Sequence, residues 1–86
     1  MMARFQVNAV FEIESRDLLV LMGQITEGGV RAGMTVSATP HSACLTSIEL
    51  VRSQGGGEIA LCLKLPASER ESWRRLDLPG RTIIVQ

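Results

Sequence analysis

Between Leu18 and Val36 the chain reads LLVLMGQITEGGVRAGMTV, and this stretch restricts the fold more than any other. It predicts a strand from about Leu18 to Thr26, a glycine-studded turn, and a second strand over Met34–Thr39. In the first strand Leu19, Leu21, Gly23 and Ile25 share one face, and Leu18, Val20 and Met22 share the other. A strand apolar on both faces is buried twice over or meets a partner. Gly23 in mid-strand needs a bend, a bulge or a close backbone approach to justify it. Gly28 and Gly33 are natural positions for a positive φ in the turn.

The flanking segments extend the pattern. Phe5, Val7, Ala9, Phe11 and Ile13 fall on every second residue, predicting a strand from Arg4 to Glu14 with these five on its buried face. Val10 is the one apolar residue out of phase, and Ser15-Arg16-Asp17 supplies a polar turn. Pro40-His41-Ser42-Ala43 reads as a break. Alternation resumes over Cys44–Arg52 and again from Ile59 to Leu65. Between these, Ser53 to Gly57 reads as a hairpin end or a flexible loop. Ser68-Glu69-Arg70-Glu71 has capping-box spacing, so a short helix is expected as far as Leu76, with Trp73 and Leu76 facing inward. Arg81–Val85 is the last strand. The expectation is an all-β fold: a small closed β-barrel of about six strands with one short helix near the C-terminus.

Bulk properties narrow the classes of function. The 86 residues suffice for one domain. Nine basic and nine acidic residues cancel, so no global field draws the chain to nucleic acid or an anionic membrane. No apolar run reaches the ~18 residues of a membrane-spanning helix, and no secretory signal opens the sequence. Cys44 and Cys62 lack metal-site spacing and read as reduced thiols, small core residues in or beside strands, so a soluble cytoplasmic chain without metal or cofactor is expected.

The ordered motifs resemble domain 2 of elongation factor Tu and related translational GTPases. The likeness lies in Phe11-Glu12-Ile13, Gly23-Gln24-Ile25, Gly28-Gly29-Val30-Arg31-Ala32-Gly33, Ile48-Glu49-Leu50-Val51-Arg52 and Pro79-Gly80. The spacing G-x-[IV]-x-x-G-x-[IV]-x-x-G is its most specific part. No phosphate-binding G-x-x-x-x-G-K-[ST] loop is present, so the resemblance implies a stand-alone barrel without GTPase activity. It also implies that Glu49 and Arg52 match positions that line the pocket for the 3′ end of aminoacyl-tRNA. Glu58 stands near the place of a neutral asparagine in that pocket. An ordinary solvated pair on a strand is the favoured reading of Glu49 and Arg52.

No catalytic constellation emerges. His41 is the only histidine and reads as an exposed loop residue. Glu12 and Glu14 read as a solvated strand face. Arg70 and Arg74 lie one turn apart, where a phosphate, an acidic partner or intrahelical Glu71 and Asp77 can meet them. The function expected is a non-catalytic binding module for a protein or ribonucleoprotein partner linked to translation. RNA or tRNA 3′-end binding through Glu49 and Arg52 is the alternative, and a small ligand-binding or enzymatic barrel is a second. The face formed by Leu18, Val20 and Met22 is the candidate partner or self-association surface, unless the Trp73 helix covers it.

Overall fold

A computed structural model describes residues 2–53 and 56–86, without the side chains at 52, 53 and 56. Among the described residues seven strands form: β1 (Ala3–Ile13), β2 (Leu18–Glu27), β3 (Thr35–Ala38), β4 (His41–Cys44), β5 (Ser47–Ser53), β6 (Gly56–Lys64) and β7 (Thr82–Val85). A 3₁₀ turn over Glu14–Arg16 joins β1 to β2, and one helix, α1 (Ala67–Arg74), lies between β6 and β7. The strands make a single curled antiparallel sheet in the order β4-β3-β7-β1-β2-β6-β5.

The strand expected to be absent is β4. The segment read as a break after Pro40 folds back on β3, with Ala38 opposite His41 and Thr35 opposite Cys44. Its four residues carry no apolar alternation; pairing with β3 and the turn at the cis Thr39–Pro40 bond define it.

The expected closed barrel is instead a half-barrel, and the strand order explains why. Seven antiparallel neighbours leave the two edge strands, β4 and β5, pointing the same way. Closure would need a parallel ladder between them, and a parallel pair requires a crossover of a dozen or more residues. Only Leu45 and Thr46 separate β4 from β5. Leu45 stays on the β3 side, its N–H donating to the Met34 carbonyl at 2.7 Å. Thr46 has already crossed to β6, donating to the Cys62 carbonyl at 2.9 Å. The sheet therefore curls until its edges are tied by a chain segment rather than by a ladder.

Phe5, Val7, Leu19, Leu21, Leu61 and Leu63 fill the concave side, and Trp73 and Leu78 close it from the helical segment. The helix begins one residue before the expected capping box. Pro66 occupies the N-cap position and makes no side-chain cap, while the Ser72 hydroxyl donates to the Ser68 carbonyl at 3.2 Å. Gln54 and Gly55, in the stretch read as a hairpin end or loop, lie outside the described residues, and Ser53 pairs with Gly56 on either side of them.

β1 departs from simple alternation. Val7 opposes Gly23, Ala9 opposes Met22, and Asn8 is the extra residue between them. One inserted residue reverses which face every later side chain takes. Phe5 and Val7 point into the core as expected; beyond the bulge it is Val10 and Glu12 that turn inward. Phe11 and Ile13, expected in the core, face outward at 52 % and 38 % exposure. Gly23 accommodates the bulge, because a Cβ there would overlap the Gln6 carbonyl oxygen and lie 3.2 Å from the Asn8 nitrogen.

Candidate functional site

The convex face of β1, β2 and β6 is built by the register. Directly opposed residues on neighbouring strands share a face. Ile13 lies beside Leu18, and Leu18 beside Lys64. Phe11, Val20 and Cys62 make the next row, and Ala9, Met22 and Ala60 the row after it. Leu18, Val20, Ala60 and Cys62 are buried in a cluster of their own, against which half-buried Met22 and Val51 pack. The helix does not cover this cluster, since Trp73 belongs to the concave core. Leu18 and Val20 are screened by their own neighbours, and the apolar surface open to solvent is carried by Phe11 and Ile13.

This face was half legible. Leu18, Val20 and Met22 come together on it as the sequence places them. Phe11 and Ile13 lie on the side opposite to the one that alternation predicts, and the residue that signals the change is Val10. An apolar residue out of phase, followed by a glycine in the partner strand, marks a bulge.

The polar rim includes the residues implied by the translation-factor likeness. Glu49 is exposed on β5 opposite Ala60, at the border of the apolar rows. The backbone of Arg52 pairs with Gly57, while its side chain lies outside the described residues. Glu58 accepts a 3.0 Å hydrogen bond from Asn8 Nδ2, which reaches across β2 from the bulge. The turn glycines have defined geometry: Gly28 and Gly33 take φ values of +74° and +96°, and a Cβ on Gly28 would sit 2.7 Å from the Met2 carbonyl oxygen.

A second polar centre forms where α1 meets β1. Arg70 is only 4 % exposed. Its Nη1 donates to Asp17 Oδ1 at 2.9 Å and to the Leu65 carbonyl at 2.6 Å. Its Nε lies 3.4 Å from Glu12 Oε1 without a hydrogen bond, and Arg74 Nη1 donates to Glu12 Oε2 at 3.3 Å. Glu12, expected on a solvated face, is thus the anion between two arginines, delivered there by the bulge. Asp17 adopts the left-handed region at φ 52°, which ends the 3₁₀ turn and aims its carboxylate at the helix. A shallow groove lined by Val10, Phe11, Glu12, Glu14 and Arg74 runs alongside. The intrahelical pairing expected of Arg70 and Arg74 with Glu71 and Asp77 is replaced by these contacts to Glu12 and Asp17, and Glu71 meets Arg75 instead, at 3.1 Å.

His41 is not a free loop residue: its ring stacks on Trp73, with centroids 6.1 Å apart. Cys62 is buried in the convex cluster, whereas Cys44, expected in the core, is exposed at the end of β4. Among the described residues, no helix is long and apolar enough to cross a membrane. No family model, curated protein or solved structure matches this chain.

Proposed function

We propose that the chain is a non-catalytic binding module of the translation-factor domain 2 type, whose convex sheet face docks a protein or ribonucleoprotein partner. The observation that carries the reading is the outward placement of Phe11 and Ile13 beside Val20 and Leu18. An aromatic and a β-branched side chain over a dense apolar floor are the material of an interface centre. The rim of Lys64, Glu49 and Glu58 supplies both signs of charge for orientation. Affinity arises from covering Phe11 and Ile13, and the rigid β1–β2 hairpin holds them in place. Two unpaired thiols fit a reducing, cytoplasmic setting.

The test is quantitative affinity capture with the wild-type chain and a Phe11→Asp/Ile13→Asp double variant. Both positions are solvent-facing, so the variant is expected to keep its unfolding midpoint, with stability within about 1 kcal/mol of wild type. A partner held by the wild type and lost from the variant supports the reading. Equal retention by both sinks it. Binding of an oligonucleotide ending in CCA at low salt, abolished by Glu49→Gln, would move the function to the tRNA 3′ end instead.

A further inference from the structure

Strand β5 is a long sheet edge whose charges are Glu49 and Arg52. Among the described residues it pairs with β6 alone, over all seven positions from Ser47 to Ser53 and without a register shift. Soluble proteins blunt such edges by shortness, proline, charged side chains (lysine above all) or a bulge. The opposite edge, β4, is four residues long and starts directly after Pro40. β5 contains no proline, no lysine and no bulge. At its midpoint stands Leu50, 81 % exposed and the most exposed large apolar side chain among the described residues.

We infer that β5 pairs antiparallel with β5 of a second copy, about a two-fold axis at Leu50. A two-fold axis perpendicular to the sheet requires one residue to face its own copy. Leu50 is the fourth of the seven residues, so only this register uses the entire strand, with Ser47 opposite Ser53 of the second copy. It also sets Glu49 opposite Val51 of the second copy. An axis at Glu49 would oppose two like charges, and an axis at Val51 would shorten the ladder by two positions. A second copy fills all seven positions, sets the exposed Leu50 against its own equivalent and brings no like charges face to face, and this self-complementarity selects it over an unrelated extended peptide. One strand pair covers less than the roughly 800 Å² per partner of a stable complex, so the dimer is weak and concentration-dependent.

This surface is separate from the Phe11–Ile13 face, and the experiment keeps them apart. In a Cys44→Ser background, Leu50→Cys is oxidised with glutathione disulfide. Facing residues of an antiparallel pair lie about 4.5–5.5 Å apart at Cα, within reach of a disulfide. Leu50→Cys is expected to couple into a covalent dimer. Ser47→Cys, roughly 20 Å from its own copy at about 3.4 Å per residue, stays single and couples only when mixed with Ser53→Cys. By light scattering, the wild type and Phe11→Asp gain mass alike with concentration, while Leu50→Lys does not. Absence of coupling by Leu50→Cys, coupling of Ser47→Cys with itself to the same extent, or a wild type that stays monomeric at about 1 mM overturns the inference.

Discussion

Arg70 carries the one buried charge among the described side chains, and its surroundings set what it contributes. The guanidinium replaces lost water with the Asp17 carboxylate, the Leu65 carbonyl and the nearby Glu12 carboxylate. Asp17 remains mostly in solvent, and Glu12 keeps some water contact. The interaction is therefore worth less than the ~3–5 kcal/mol of a fully enclosed pair. Arg70→Met is expected to lower stability by about 2 kcal/mol, read from the urea midpoint at constant slope. Arg75→Ala, which removes only the exposed pair with Glu71, should shift it by less than about 0.5 kcal/mol. Equal losses from both would show that Arg70 serves no more than surface solvation.

At the scale of elements, α1 acts through one side chain. Trp73 enters the concave core and carries His41 stacked on its ring. Trp73→Ala should cost about 3–5 kcal/mol and detach the helix from the sheet, seen as loss of fixed near-ultraviolet dichroism with the strand signal retained. The helix was visible in the sequence through the Ser68-to-Glu71 spacing, although Pro66 and not Ser68 takes the N-cap position, and β1, β2 and β6 were visible because their apolar periods are long and regular. β4 was not, since His41-Ser42-Ala43-Cys44 has no period of its own and exists only against β3. Arg70 was not, because its partners Asp17 and Glu12 are more than fifty residues away in sequence. The direction of Phe11 was lost for a different reason: alternation reports a face only while no residue is inserted, and Asn8 is such an insertion.

For the molecule as a whole, the half-barrel predicts uneven stability. β1, β2 and β6 each lie between two hydrogen-bonded neighbours, while β4 and β5 have one. Amide exchange should accordingly be slowest at Leu19, Leu21 and Leu61 and fast along β4, measured by nuclear magnetic resonance in the native state. The outer amides of β5 should exchange quickly in dilute solution and slow as concentration rises; uniform protection from edge to edge would mean that the sheet closes in solution. Asn8 ties together two properties that look unrelated. Were it drawn into a regular ladder instead of being left over between Val7 and Ala9, the second half of β1 would turn over, hiding Phe11 and Ile13 and carrying Glu12 out to water, away from Arg70. The sticky exterior and the ionic latch would disappear in a single step, so a descendant of this chain can keep both or neither.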